Sequence, residues 1–148
     1  MIKQALGAAV LAATIAFAQP AKLAAQDLPF TYGDYWEVAS ISVDDGGNAA
    51  YADFLANEWK KSQEFAKSKG WINGYHVLAN LNKRPGEPDY YLVTQFSHMP
   101  DAAESTARDK AYSDYMAKSL RQMDAESGDR AKFRHVMGSE LLGEMVLK

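Results

Sequence analysis

The 148-residue sequence contains no cysteine. The protein therefore has no disulfide bond, no cysteine-ligated metal and no catalytic thiol. It also lacks an excess of positive charge, because 19 acidic residues outnumber 16 lysines and arginines and leave a formal net charge of −3. A mildly acidic chain is a poor nucleic-acid binder, so we expect no nucleic-acid partner.

Short catalytic and cofactor motifs are missing as well. The sequence has no phosphate-binding loop, no dinucleotide fingerprint and no nucleophile elbow. Its three histidines, His76, His98 and His135, show neither HExxH spacing nor any i, i+4 pair. We therefore expect no cofactor and no metal ion.

A long apolar run occurs at the N-terminus. Lys3 precedes residues 4–18, QALGAAVLAATIAFA, a run too short for the roughly 20 apolar residues of an untilted membrane span. Its end, Ala16-Phe17-Ala18, fits the A-x-A cleavage pattern of secretory leaders. The pattern predicts that residues 1–18 are a cleaved signal peptide, with cleavage after Ala25 as the alternative. We expect a periplasmic or secreted protein without a stable membrane anchor after cleavage.

The sequence after the predicted signal peptide is typical of one α+β domain preceded by a short arm. Residues 19–34 contain two prolines and a glycine without regular periodicity, and we interpret them as an extended arm before a domain at 35–148. Alternating or helical spacing of apolar residues predicts six elements in the domain. They are a strand at 35–43, a helix at about 49–69, strands at 75–81 and 90–96, a second helix from about 100 to 127, and a last strand within 134–147.

The order of these elements favours one architecture. Strand, helix, strand, strand, helix, strand is the split β-α-β pattern of the ferredoxin-like fold, with an antiparallel sheet and two helices on one face. Alternation along the strands then sorts side chains into two faces. Ala39, Ile41, Val43, Tyr75, Val77, Ala79, Leu81, Tyr90, Leu92, Thr94 and Phe96 form the expected helix-covered face. The opposite face mixes Trp36, Val38, Ser40, Ser42, His76, Leu78, Asn80, Tyr91, Val93 and Gln95.

The mixed face is too apolar to stand open to water on a monomer. With this element order, the passages YWEVASISV, GYHVLANL and YYLVTQFSHM resemble the dimeric α+β barrel superfamily over about residues 35–147. The resemblance implies a homodimer in which two ferredoxin-like domains pack sheet against sheet. That superfamily contains cofactor-independent monooxygenases, lyases and ligand-binding proteins, so the fold alone assigns no reaction.

The candidate site residues come from the mixed face and from one loop. Trp36, Asn80, Tyr91 and Gln95 are the predicted ligand-binding residues, because aromatic rings with a few polar groups are typical of small-molecule sites. His76 and His98 are the candidates for proton transfer. The sequence favours an exported homodimer that binds a small apolar or aromatic molecule. The alternative is a cofactor-independent monooxygenase-like or lyase-like enzyme that uses one of these histidines.

Overall fold

A computed structural model describes residues 28–148. The predicted signal peptide, residues 1–18, and the first part of the expected arm lie outside these residues. Between residues 28 and 148, no helix has both the length and the hydropathy needed to cross a membrane.

Four strands form one antiparallel sheet in the order β2-β3-β1-β4. They are β1 (Phe30–Val43), β2 (Gly74–Ala79), β3 (Tyr90–Phe96) and β4 (Arg134–Leu147). The α+β class is therefore confirmed. Two bounds differ from expectation, because β1 begins five residues before Tyr35 and β2 ends two residues before Leu81, which is 96% exposed.

The first helix, α1, follows the turn after β1. It consists of an α-helical part (Asn48–Phe54), a π-helical stretch (Leu55–Trp59) and a second α-helical part (Lys60–Ser68). These bounds match the predicted helix closely. Gly70 adopts the left-handed conformation expected after the C-terminus, with φ of 69°, and the ring of Trp71 packs against Phe65 with centroids 5.4 Å apart.

The expected single second helix is wrong, because the chain forms two. They are α2 (Ala102–Met116) and α3 (Leu120–Arg130). Ala117 between them has a φ of 53°, which ends α2, and Ser119 then begins α3 with a reciprocal capping box to Gln122. The element order therefore has three helices where two were expected.

The core lies between β1 and α1. Ile41 and Val43 of β1 pack with Tyr51 and Leu55 of α1, and all four are at most 9% exposed. This packing confirms the predicted helix-covered face of β1. Partly buried neighbours complete the cluster: Ala39, Phe54, Trp59, Tyr90, Leu92 and Phe133.

Tyr51 is the most deeply buried side chain of the described part, with 1% exposure. Burial raises the pKa of its hydroxyl to about 12 from the ordinary value of 10, although the positive charges of Arg134 and Arg130 lower it in part. The hydroxyl thus ionises in the unfolded chain before it ionises in the folded one.

We expect the unfolding free energy to fall above pH 10, by about 1.4 kcal/mol per pH unit from this group, until pH 12 is reached. The folded state keeps a proton that the unfolded state has lost, so stability is complete below pH 10. Tyr51→Phe should remove this part of the alkaline loss, whereas Tyr32→Phe, at a 78% exposed position, should not. Urea titrations between pH 8 and 12 measure it, and identical pH profiles for both variants would contradict it.

Candidate ligand site on the open face of the sheet

The sheet face opposite α1 is built from three cross-strand rows. Across β1 and β3, Trp36 pairs with Gln95, Val38 with Val93, and Ser40 with Tyr91. The β3 residues pair in turn with Gly74, His76 and Leu78 of β2. Directly opposite residues share a face, so these nine positions lie together. We call this surface the open face.

A hollow of about 520 Å³ lies on the open face. Val93 is its floor, since it is only 4% exposed although it lies on the face without helices. Leu78, by contrast, is 53% exposed at the wall. We call this feature the open-face hollow, and its lining is Trp36, Val38, His76, Leu78, Tyr91 and Val93.

The chemistry of the open-face hollow is mainly apolar. Its lining includes no acidic side chain, no lysine and no arginine. Three of the lining residues, His76, Tyr91 and Trp36, carry a polar group on an otherwise apolar ring, but the surface that lines the hollow is almost entirely apolar. Such a surface suits an apolar or aromatic molecule that carries few hydrogen-bonding groups.

The structure brings three of the predicted site residues together. Trp36, His76 and Tyr91 all line the open-face hollow. Val38, Leu78 and Val93 line it too, although sequence analysis did not select them as binding residues. Strand alternation places them on the same face, but an aliphatic side chain carries no signal that separates ligand contact from packing.

The two predicted amide ligands are engaged elsewhere. Gln95 Nε2 donates to Asp34 Oδ2 at 2.9 Å. Asn80 Nδ2 donates to the carbonyl of Pro88 at 3.2 Å, and Asn80 Oδ1 accepts from the backbone N–H of Asn82, also at 3.2 Å. Neither side chain lines the open-face hollow, and Asn80 instead organises the β2–β3 loop.

The three histidines contact different groups. His98 Nε2 lies 3.3 Å from Glu104, whose carboxylate also binds Arg108. These contacts hold the pKa of Glu104 below its usual value, and the hydrogen bond from Arg108 has the larger effect on that pKa. His135 Nε2 lies 3.1 Å from Asp44, and only His76 lines the hollow. Within residues 28–148, no three His, Asp or Glu side chains form a group able to hold a metal.

A second apolar depression lies between α1 and β2. It measures about 410 Å³, and we call it the α1–β2 groove. Val77 is 40% exposed there, although its position on the strand predicts cover by a helix. Alanines at positions 52 and 56 of α1, one helical turn apart, leave this space. The groove is lined by Ala52, Leu55, Ala56, Trp59, Lys60, Tyr75, Val77 and Tyr90.

Comparison with known proteins identifies no family for this chain. A scan against protein-family models finds no match, and a search of curated proteins finds none. Among solved structures, the chain is similar to HapK from Hahella chejuensis, with 10% sequence identity and a TM-score of 0.48. The alignment covers 74% of this chain and 91% of HapK. At this identity and TM-score, the similarity assigns neither a family nor a function to this chain.

We expect Asn80→Ala to lower the unfolding free energy by about 1 kcal/mol, because it removes the hydrogen bonds that order the β2–β3 loop. Asn82→Ala is the matched control, since Asn82 joins this network through its backbone N–H, and it should have little effect on stability. Urea unfolding measures both variants. An unfolding free energy of Asn80→Ala equal to that of the original protein would contradict this prediction.

Proposed function

We propose that the protein binds a small apolar or aromatic organic molecule in the open-face hollow. The observation that carries this proposal is a hollow of about 520 Å³ with a mainly apolar lining on the sheet face opposite α1. Volumes of roughly 300–1,000 Å³ are typical of small-molecule sites. The rings of Trp36 and Tyr91 offer stacking surfaces. His76 supplies a hydrogen bond that orients a single polar group.

We also infer that the domain is ferredoxin-like and forms a homodimer. The sheet order β2-β3-β1-β4 with antiparallel pairing supports the first inference. Support for the second comes from the balance of apolar side chains, since the described residues bury seven hydrophobic side chains and leave sixteen large ones exposed. In a chain without disulfides, burial of these exposed side chains between two copies would add to the stability that so small a core supplies.

The alternative function is a cofactor-independent monooxygenase-like or lyase-like enzyme. Its support is His76, an imidazole able to exchange a proton with a molecule held in the hollow. His98 has less support, because its imidazole contacts Glu104 and does not line the hollow. The enzyme requires chemical conversion of the bound molecule, whereas the binding function requires only its retention.

Binding is testable with N-phenyl-1-naphthylamine, an uncharged aromatic probe that fluoresces in apolar sites. Leu78→Glu should weaken probe binding about tenfold or more, because it places a carboxylate in the wall of the hollow. The matched control is Val77→Glu, its neighbour on the other face, which should bind within about twofold of the original protein. Fluorescence titration measures both after circular dichroism has verified folding.

This pair of variants also separates the two apolar sites. If Val77→Glu weakens binding and Leu78→Glu does not, the probe occupies the α1–β2 groove and the proposed site is wrong. Equal affinity in both variants and the original protein would place the probe at neither surface, and that result also contradicts the proposal.

Export is a further part of the proposal, and it is supported by the N-terminal pattern around residues 4–18. We expect protein recovered from outside the cytoplasm to begin at Gln19, or at Gln26 if cleavage follows Ala25. Intact mass and N-terminal sequencing distinguish these products. Ala18→Asp should block the first cleavage only. Recovery of the chain solely with Met1 and the apolar run intact would contradict the proposal.

A further inference from the structure

The α1–β2 groove lies on the helix-covered side of the sheet, away from the open-face hollow. Its volume of about 410 Å³ falls within the roughly 300–1,000 Å³ that is typical of small-molecule sites. Along α1 the lining extends from Ala52 to Lys60, which is about 12 Å at roughly 1.5 Å per residue. The groove is therefore long enough for a small organic molecule, and it takes no part in the binding proposed at the hollow.

Three aromatic rings line the groove, those of Trp59, Tyr75 and Tyr90. The rings of Trp59 and Tyr75 meet edge to face, with centroids 5.4 Å apart. Both tyrosine hydroxyls are engaged outside the groove, because that of Tyr75 donates to Glu64 and that of Tyr90 donates to Asn48 Oδ1 at 3.1 Å. The tyrosines therefore offer the groove their apolar rings and not their hydroxyls.

Lys60 is the one charged residue among the eight that line the groove. Six other lysines of residues 28–148 bind a carboxylate or lie over an aromatic ring, namely Lys61, Lys69, Lys83, Lys110, Lys118 and Lys132. Lys60 has no ion pair, side-chain hydrogen bond or ring contact within the same residues. Its ammonium group is thus free to pair with an anion at one end of an apolar surface.

The wall of the groove also contains the π-helical stretch of α1. Leu55, Ala56 and Trp59 belong to that stretch, and Lys60 follows it directly. A π-helical turn closes i→i+5 hydrogen bonds and so takes up one residue more than an α-helical turn. Such turns are rare in proteins and frequently lie at functional sites. In this chain the irregular turn coincides with the groove and adjoins its cation.

We propose that the α1–β2 groove is a second ligand site, which binds an organic acid made of an apolar or aromatic body and a single anionic group. The body lies against Val77 and the aromatic rings, and the anionic group pairs with Lys60 Nζ. The inference goes beyond the proposed function, because it concerns another surface and another class of ligand. Val77 and Leu78, on opposite faces of β2, would then each contact a different ligand.

The charges of the two surfaces separate the two classes of ligand. An anion that enters the open-face hollow loses water without gaining an ion pair, because no lysine or arginine lines that hollow. In the groove, Lys60 compensates for part of the lost hydration. An uncharged molecule gains nothing from Lys60, so only the organic acid should depend on this side chain.

The experiment compares two fluorescent probes that differ by one sulfonate group, 1-anilinonaphthalene-8-sulfonate and the uncharged N-phenyl-1-naphthylamine. Lys60→Glu should weaken binding of the sulfonate probe about tenfold, because it replaces an attraction by a repulsion. The matched control is Lys61→Glu, since Lys61 Nζ lies 5.2 Å from the centroid of the Tyr115 ring and does not line the groove. This control should bind the sulfonate probe within about twofold of the original protein, because its charge is screened by salt. Neither variant should alter the affinity for the uncharged probe.

The glutamate variants of β2 give a second measurement. Val77→Glu should weaken binding of the sulfonate probe about tenfold or more, because it places a carboxylate in the wall of the groove. Leu78→Glu should have little effect on this probe, which is the reverse of the order expected for the uncharged one. Competition then tests the class of ligand, since decanoate should displace the sulfonate probe at lower concentration than 1-decanol does.

Three results would overturn the inference. They are equal losses of affinity for the sulfonate probe in Lys60→Glu and Lys61→Glu, a loss confined to Leu78→Glu, and no binding of the sulfonate probe at all. None of them decides the binding proposed at the hollow, which is judged by the uncharged probe alone. If Val77→Glu does not fold, the two lysine variants, both at exposed positions, still decide the inference.

Discussion

The packing of α1 onto β1 determines which face of the sheet is closed. Ile41 and Val43 must point toward Tyr51 and Leu55 to form the core. Strand geometry then directs the alternate side chains of β1, Val38 among them, to the opposite face. Residues of β3 and β2 that pair with these positions of β1 lie on the same face, so the division into two faces continues across the sheet. The open-face hollow is thus a direct consequence of where one helix packs.

The sequence alone predicts this division into two faces, because side-chain alternation along a strand is a local property. It did not predict the break between α2 and α3, since apolar spacing continues through the residues on both sides of Ala117. The capping box of Ser119 and Gln122 was the available signal. The expected start of β1, at Tyr35, is also five residues later than the observed start at Phe30. Pairing of Phe30 with Leu147 at the far end of the chain extends that strand, and such pairing cannot be deduced from local composition.

The difference between local alternation and contacts with other parts of the chain also explains which of the candidate site residues lie together in the structure. Trp36, His76 and Tyr91 meet because register and alternation both place them there. Asn80 and Gln95 satisfied the same alternation, yet their amides are held by Pro88 and Asp34. A polar side chain beside a loop or a strand end finds backbone and carboxylate partners nearby. Its hydrogen bonds therefore depend on the loop conformation, which the sequence pattern did not specify.

The apolar character of the open face bears on two proposals, ligand binding and association with a second copy. A surface apolar enough to hold an organic molecule is also apolar enough to associate with its own copy, because both processes remove the same area from water. Val93 lines the hollow and is only 4% exposed, so the side chains around it would make the first contact with a ligand or with a second copy. The proposed homodimer and the proposed ligand would therefore remove the same apolar side chains from water.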